Sequence, residues 1–179
     1  GAKRAAPKPR AHGKMSEIKQ VFEPATPAGE KDMKKAILFC YSFHHGNTKK
    51  VAEAVSARYG VRLVSVPVKE DYNLADYDLV GFASGIYMSE FGKPIREFAS
   101  SLDGLEGKNC FTLFTHGAPR AAHDQAFVDL LTKKGAKIAG RFGCRGFDTF
   151  GPFKLVGGIA KGHPNNTDVA EAVTYFGEL

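Results

Sequence analysis

The feature that most constrains the fold is the stretch at residues 37–55, where a short apolar run breaks into a polar turn and then restarts with helical spacing. Residues 37–39 are continuously apolar, which is typical of a parallel strand buried on both faces. Beyond the turn, apolar side chains recur at helical intervals from Val51 onward. The stretch therefore predicts a strand, a sharp turn at Gly46 and the start of a helix.

A turn of this kind can receive a phosphate, because free backbone N–H groups and the positive end of the helix dipole meet there. Ser42, Asn47 and Thr48 add side-chain donors. Lys49 and Lys50 fall in the first helical turn, where a cation opposes the dipole by about 0.3 to 1 kcal/mol unless an anion binds nearby. The pattern favours a phosphate site, and a solvated helix start with two surface lysines is the alternative.

Other phosphate and nucleophile motifs are excluded by their spacing. A Walker loop needs Gly-Lys followed by Ser or Thr, which the chain lacks. The loop of low-molecular-weight tyrosine phosphatases needs Arg six residues after its Cys, but glycine and histidine stand at that distance from Cys40 and Cys110. A nucleophile elbow needs glycine two residues to either side of its serine, whereas Ser84 has phenylalanine and isoleucine there.

The turn resembles the phosphate loop of the flavodoxin family. The family signature runs from an apolar strand through an aromatic residue and a hydroxyl-rich loop to Gly-x-Thr, with Ala four residues later. The matching positions here are Tyr41, Gly46, Asn47, Thr48 and Ala52. The resemblance implies that the cofactor is FMN and that this loop holds its phosphate.

Three positions in the loop depart from the family pattern. Phe43, His44 and His45 stand where flavodoxins usually carry Ser or Thr. Ser42 is then the candidate for the displaced hydroxyl, and imidazole N–H groups are candidate phosphate donors. A metal site is the alternative for the two histidines, but neighbouring residues seldom point at one ion, and no cysteine or carboxylate with ligand spacing accompanies them. We therefore predict no metal site.

Strand and helix patterns alternate along the rest of the chain. Four further strands are predicted at residues 61–66, 79–84, 110–114 and 137–142, and three further helices at residues 94–102, 121–134 and 168–176. Short connections and right-handed crossovers favour an α/β fold with a doubly wound parallel sheet and helices on both faces. The resemblance implies a flavodoxin-like five-stranded sheet in the order 2-1-3-4-5.

In a sheet of that order, a ligand binds where the carboxyl ends of the first and third strands diverge. Two loops besides the phosphate loop reach this place, at residues 84–91 and 115–120. The resemblance implies that they grip the isoalloxazine ring of FMN through an aromatic stack and backbone hydrogen bonds. Tyr87 is the stacking candidate, and Phe91 is the second.

The cofactor-binding residues are predicted from these three loops. They are Ser42, Phe43, His44, His45, Gly46, Asn47, Thr48, Ser84, Gly85, Ile86, Tyr87, Thr115, His116 and Gly117. We expect His116 and Arg120 to face the ring or its ribityl chain. No catalytic residue is predicted.

The segment at residues 147–166 is long for a connection between a last strand and a last helix. It carries three phenylalanines and four glycines. Loops of this length are usually functional or disordered, and the apolar content argues against disorder. We expect the segment to cover the flavin edge or to form a partner surface, and a flap over the sheet edge is the alternative.

Residues 1–32 have the composition of a disordered basic leader. We expect this leader to be dispensable for the flavodoxin-like domain at residues 33–179. Their net charge of +3 is half of the total of +6. A basic tail can bind nucleic acid or an anionic membrane, but this one has no pattern of interleaved aromatics. No stretch approaches the ~20 apolar residues that span a bilayer. We therefore expect no nucleic-acid partner and no membrane partner, and the oligomeric state is left open.

Cysteine usage fits a reducing compartment, because the three cysteines cannot all pair. Cys40 and Cys110 lie in or beside predicted strands, where a free cysteine is most often a small buried hydrophobe. Cys144 lies in a less regular region and is the one thiol that is a candidate for reactivity. These features predict a cytoplasmic protein.

Two redox functions follow from an FMN site. The first is electron transfer to a redox partner protein or a small electron acceptor, which needs only an exposed flavin edge. The second is an FMN-dependent oxidoreductase that acts with NAD(P)H or on quinones, and the lack of a nicotinamide-binding fingerprint favours the carrier. A third alternative is a flavodoxin-like module that binds its ligand without flavin, because the hydroxyl positions have changed.

The charge of the domain predicts its redox potential. Flavodoxins resemble one another in being strongly acidic, whereas residues 33–179 carry a net charge of +3. Nearby positive charge stabilises the negative charge that reduction adds to the flavin, so we expect a second-electron potential less negative than that of acidic flavodoxins. A redox titration of the FMN-loaded protein measures this potential. A value as low as that of the acidic proteins contradicts the expectation.

Overall fold

The structure is a computed structural model that describes residues 34–118 and 123–179. The leader expected at residues 1–32 lies outside the described residues. Arg120 and the expected beginning of the third helix at residues 121–122 lie outside them as well, and these expectations stay predictions.

A parallel sheet forms the centre of the described chain. Its strands are β1 Ala36–Tyr41, β2 Arg62–Ser65, β3 Leu79–Tyr87, β4 Glu90–Phe91, β5 Asn109–His116 and β6 Lys137–Arg145. The parallel strands are ordered β2-β1-β3-β5-β6, and β4 pairs with β3 alone. The predicted order of the five parallel strands is therefore confirmed.

The short strand β4 is absent from the sequence prediction. It folds back antiparallel on the end of β3, with Tyr87 opposite Glu90. Met88 and Ser89 form the two-residue turn, and both have left-handed backbone angles, with φ of 52° and 71°. Hairpin turns of this kind usually use asparagine, aspartate or glycine, so Met-Ser gives no turn signal in the sequence.

Helices cover both faces of the sheet. They are α1 Asn47–Tyr59, α2 Lys93–Ser101, α3 Gln125–Lys133 and α4 Asn166–Gly177, with shorter 3-10 helices at Leu74–Asp76 and Gly151–Val156. α4 starts with a capping box, in which the Asn165 side chain accepts from the backbone N–H of Asp168 and the Asp168 side chain accepts from that of Asn165. In α2, Ile95 and Ala99 are buried against the sheet.

Each face of the sheet has its own apolar core. On one face, Phe82 of β3 meets Phe127 of α3 with ring centroids 5.4 Å apart. On the other face, Phe111 of β5 meets Phe176 of α4 at 5.3 Å. Gly81 of β3 lies under the ring of Phe111, which occupies the space that a Cβ would need. The two cores fix the sheet between its helices and leave its carboxyl-terminal edge free to form a site.

A buried carboxylate ties the start of α3 to the sheet. Asp124 is 2% exposed; it accepts hydrogen bonds from Thr112 Oγ1 of β5 at 2.8 Å and from Arg141 Nε of β6 at 2.9 Å. Burial by itself raises the pKa of Asp124, but the hydrogen bonds and the positive charge of Arg141 outweigh it, and the pKa lies below its ordinary value. The carboxylate therefore stabilises the fold in its ionised form.

Replacing Asp124 with asparagine is expected to lower the free energy of unfolding by about 2 kcal/mol at pH 7, because charge-assisted hydrogen bonds are lost from a buried position. The pKa of this group is lower in the folded state, so its contribution is present above the unfolded pKa and is lost as the pH falls through the folded pKa. Urea unfolding between pH 3 and pH 7 measures both effects. Asp129→Asn, at an exposed position of α3, is the matched control, and equal stability of the two variants at pH 7 contradicts the prediction.

Candidate functional site

A cleft opens at the carboxyl-terminal edge of the sheet, where β1, β3, β5 and β6 end. Its walls are the turn after β1, the β3–β4 hairpin, the loop after β5 and the segment after β6. The cavity has a volume of about 190 Å³. It lies at the carboxyl ends of the parallel neighbours β1 and β3, where the strand order reverses, which is the usual ligand position in a doubly wound sheet.

The cleft brings together most of the predicted cofactor residues from all three loops. Those that line it are His44, Asn47, Thr48, Gly85, Ile86, Tyr87, Thr115, His116 and Gly117. The predicted residues that do not line it are Ser42, Phe43, His45, Gly46 and Ser84. Contact of any of these residues with a cofactor stays a prediction.

Two of the residues outside the cleft have clear positions. Phe43 is exposed on the loop. Ser84 is fully buried, where its hydroxyl donates to Gly85 O at 2.7 Å and accepts from Gly92 N at 2.9 Å. The Ser84 hydroxyl therefore stabilises the β3–β4 hairpin through one donated and one accepted hydrogen bond.

The turn after β1 ends in two residues with left-handed backbone angles. His45 has φ of 55° and Gly46 has φ of 67°. α1 starts directly afterwards with no side-chain cap and no acidic residue in its first turn. The first N–H groups of the helix have no acceptor within the helix, and the dipole adds positive potential at this end. The turn thus places a helix start with neither a side-chain cap nor an acidic first turn beside the cleft.

Two buried threonines join this helix start to β5. Thr48 Oγ1 and Thr115 Oγ1 are 2.8 Å apart, and the residues are 1% and 4% exposed. One hydroxyl donates and the other accepts, so the pair keeps one O–H that can be donated elsewhere. This O–H lies among cleft-lining residues and is a candidate ligand donor.

Tyr87 reaches back from β3 to the turn after β1. Its hydroxyl accepts hydrogen bonds from the backbone N–H of Phe43 at 3.2 Å and of His44 at 3.4 Å. Burial raises the pKa of Tyr87, although these two hydrogen bonds act in the opposite direction. Tyr87 therefore links two walls of the cleft as a neutral phenol, and stacking on a cofactor stays a prediction for it.

The prediction that Phe91 is the second candidate for stacking on the cofactor is wrong. Its side chain is 1% exposed and stacks on Phe127 at 4.4 Å with an interplanar angle of 9°. The unpredicted hairpin explains the error, because β4 turns the Phe91 side chain into the core rather than towards the cleft.

The adjacent histidines of the loop bind to the segment after β6. His44 Nε2 lies 3.1 Å and His45 Nε2 lies 2.9 Å from Thr149 Oγ1. Asn47 Nδ2 donates to Phe147 O at 2.7 Å. Within residues 34–118 and 123–179, no group of three or more histidine, cysteine or acidic side chains is arranged to hold a metal ion.

A second pair of imidazoles lies on the β5 side of the cleft. The rings of His116 and His123 are 5.1 Å apart, and His123 Nε2 lies 3.0 Å from Ala118 O. His116 Nδ1 is buried and has no hydrogen-bond partner among the described residues. Burial lowers the pKa of His116, and repulsion from His123 and Arg145 lowers it further. His116 is therefore held in its neutral form.

The sequence predicted that the segment after β6 covers the flavin edge or forms a partner surface, but none of its residues was named as part of the site. The missed lining residues in this segment are Phe147, Asp148, Phe150 and Phe153. The length and apolar content of residues 147–166 were the available signal, and the flavin cover, the partner surface and the flap over the sheet edge stay predictions for this segment. His123 and Met88 also line the cleft and were not predicted.

The prediction that Cys144 is a reactive thiol is wrong. Cys144 lies in β6, is 6% exposed, and its pKa is raised to about 12 chiefly by burial. A thiol with such a pKa is almost entirely protonated at neutral pH and is a poor nucleophile. Cys40 and Cys110 are buried free thiols, which confirms their predicted positions.

None of the helices within the described part of the chain has the length and apolarity needed to cross a bilayer.

Comparison with known proteins identifies relatives of this chain. The model of the flavodoxin domain family matches residues 38–146. An uncharacterized protein of Methanocaldococcus jannaschii is 34% identical over 140 residues, which cover 77% of this chain and 93% of that protein. The matched family region contains all the loops that form the cleft except the segment after β6 from Phe147 onward.

Two solved structures share the fold. A flavodoxin from the domain Archaea has a TM-score of 0.55 and 17% identity, and the match covers 79% of this chain and 92% of that chain. A flavoprotein from Lactobacillus acidophilus NCFM, solved in complex with FMN, has a TM-score of 0.51 and 15% identity, with 63% and 93% of the two chains covered. At these identities the likeness concerns the fold.

The environment of His116 predicts its titration. Its pKa is expected to lie below the ordinary histidine value of about 6.5, because burial and the neighbouring His123 both disfavour the imidazolium. A pH titration of the imidazole signals by NMR measures it. His123→Phe removes one of the repelling groups and is expected to move the pKa of His116 upward. A His116 pKa at or above 6.5 in the unsubstituted protein contradicts the prediction.

Proposed function

Because the chain belongs to the flavodoxin family, we propose that its cleft binds FMN and that the protein transfers electrons through this cofactor. The observation that carries the proposal is the uncapped start of α1 at the carboxyl ends of the neighbouring strands β1 and β3. A helix start without a cap and without acidic residues is a suitable site for a phosphate group. It stands beside a cleft with apolar and polar walls, as a phosphorylated ring ligand requires.

The residues around the helix start suit the phosphate of FMN. The first backbone N–H groups of α1 would bind it, together with the spare O–H of the Thr48 and Thr115 pair. Lys49 and Lys50 favour the negative charge there, although Lys50 Nζ also donates to Pro164 O at 2.7 Å. Asn47 uses its side-chain amide to bind Phe147 O. The phosphate site is therefore built mainly from backbone groups and hydroxyls.

The rest of the cleft suits the ring system. Ile86, Tyr87 and Phe147 supply apolar surface. The buried Nδ1 of His116 lacks a partner among the described residues, and an unpaired buried polar atom costs about 1–3 kcal/mol. A polar atom of the ligand would remove this cost. When bound, FMN supplies the capacity to accept and return electrons, while these residues hold it and set its surroundings.

Electron transfer to a redox partner protein or a small electron acceptor is the function that we propose first. Phe43, Met88 and Phe150 are large apolar side chains that are exposed on the segments bordering the cleft. An exposed apolar patch beside a redox cofactor supports transient docking, because a small dry contact area brings the partner close. We further propose that the protein acts in the cytoplasm, since its three cysteines are free and buried.

An FMN-dependent oxidoreductase, acting with NAD(P)H or on quinones, is the second candidate. The imidazoles of His116 and His123 favour it, because both rings line the cleft and their nitrogen atoms can bind the polar atoms of a small substrate. Steady oxidation of NAD(P)H in the presence of a quinone separates this activity from simple electron transfer.

A flavodoxin-like module without flavin is the remaining alternative, and a colourless protein that fails to bind added FMN would support it.

The first experiment is to record the visible absorption spectrum of the purified protein before and after adding FMN, and to identify the flavin that denaturation releases. We expect flavin bands and about one FMN per chain. A protein with neither bands nor affinity for FMN contradicts the proposal.

Gly46→Ala tests the site itself. Both Gly46 and Gly60 have left-handed backbone angles with no atom within 4 Å of an added Cβ, so alanine strains the backbone equally at the two positions without a clash. Gly60 ends α1 and lies outside the cleft. We expect Gly46→Ala to weaken FMN binding about tenfold, as a strain of 1–2 kcal/mol in the binding turn implies, and Gly60→Ala to leave the Kd unchanged. Equal values of Kd for the two variants, measured by flavin fluorescence, contradict the assignment.

A further inference from the structure

The segment at residues 147–164, which we name the strap, is fastened across the turn after β1. At one end, Phe147 O accepts from Asn47 Nδ2 at 2.7 Å. At the other end, Pro164 O accepts from Lys50 Nζ at 2.7 Å. Both bonds end on side chains in the first turn of α1, which the proposed function assigns to the phosphate site.

Thr149 lies between these two attachments and contacts both loop histidines. Its hydroxyl is 3.1 Å from His44 Nε2 and 2.9 Å from His45 Nε2. A hydroxyl has one proton to donate and two lone pairs, so it can bond to both imidazoles at once, and the imidazole tautomers decide which group donates. One side chain of the strap therefore fixes two consecutive side chains of the turn.

The turn needs this support because His45 has a left-handed backbone, with φ of 55°. A residue with a side chain pays free energy for that conformation and keeps it only when its surroundings hold it there. The strap supplies those surroundings through the Thr149 hydrogen bond and through the ring of Phe147, whose centroid is 4.7 Å from that of His45. The strap thus stabilises the conformation that leads into the start of α1.

We propose that Thr149 is a positioning residue for phosphate recognition: through His44 and His45 it holds the turn after β1 in the conformation that binds the phosphate of FMN. The inference rests on the proposed function. It also accounts for the two histidines at positions where related loops carry hydroxyls, since both imidazoles are used to hold the strap. In this arrangement the side chains of the turn bind the strap, and the backbone of the turn binds the ligand.

The test compares FMN with riboflavin, which has the same ring system but no phosphate. Thr149→Val keeps the shape of the side chain and removes both hydrogen bonds, whereas Thr149→Ser keeps the hydroxyl. Thr132→Val is the matched control, because Thr132 is exposed on α3 and its hydroxyl bonds only within that helix. Flavin fluorescence gives the Kd of each ligand for each protein, and urea unfolding verifies that every variant is folded.

We expect Thr149→Val to weaken FMN binding about tenfold, as the loss of two hydrogen bonds implies, and to change riboflavin binding by less than about twofold. Thr149→Ser and Thr132→Val are expected to bind both ligands like the unsubstituted protein. In NMR spectra of the flavin-free protein, the amide signals of His45 and Gly46 should shift or broaden in Thr149→Val alone. This last measurement tests the positioning of the turn even if riboflavin binds weakly to every protein.

The other outcomes separate the inference from the proposed function. An unsubstituted protein that binds no FMN contradicts the proposed function, and the role of Thr149 with it. An unsubstituted protein that binds FMN, with an unchanged Kd in Thr149→Val, leaves the proposed function standing and overturns the role of Thr149. Equal weakening of FMN and riboflavin overturns it too, because a general loss of structure does not distinguish the phosphate.

Discussion

The left-handed turn at His45 and Gly46 is the constraint on which the rest of the site depends. β1 is buried almost throughout, so it cannot bend within the sheet, and the chain must change direction within a few residues of its end. The turn makes that change, and α1 then starts at the edge of the sheet with its first N–H groups free. The position of Thr48 against Thr115, and so the junction of α1 with β5, follows from where this helix begins.

The general architecture could be predicted from local patterns in the sequence. The apolar run of β1, the glycine of the turn and the spacing of the α1 residues each depend on neighbours in the chain, and the structure agrees with all three. The family signature then implied the order of the parallel strands, which is confirmed. Local periodicity was sufficient to predict an element wherever that element buries a regular stripe or a continuous run of apolar residues.

The errors arose where the structure depends on contacts that local patterns do not report. The hairpin between β3 and β4 uses Met88 and Ser89 in left-handed conformations without the usual turn residues, so Phe91 was assigned to the cleft although it belongs to the core. Cys144 was placed in a less regular region because the predicted strand ended at residue 142, whereas β6 continues to Arg145. The cover over this edge strand comes from α4, which packs against the same core.

The segment after β6 shows that local sequence patterns do not report long-range contacts at the site either. Its length indicated a function, but nothing in its sequence indicated that Thr149 would meet two histidines about a hundred residues earlier in the chain. Such a contact depends on the complete fold, because only the sheet brings the ends of β1 and β6 to the same edge. The departure of the loop from the family pattern therefore acquired an explanation only with the structure.

The hydrogen bond from Lys50 to Pro164 couples the local unfolding of two helices. Pro164 directly precedes the capping box of α4, where His163 Nδ1 also lies 2.6 Å from Asp168 Oδ2. The start of α1 and the start of α4 therefore share one set of hydrogen bonds, and neither can fray without loosening the other. A ligand at the start of α1 should slow hydrogen exchange in α4 as well, because the two helices belong to one cooperative unit of local unfolding.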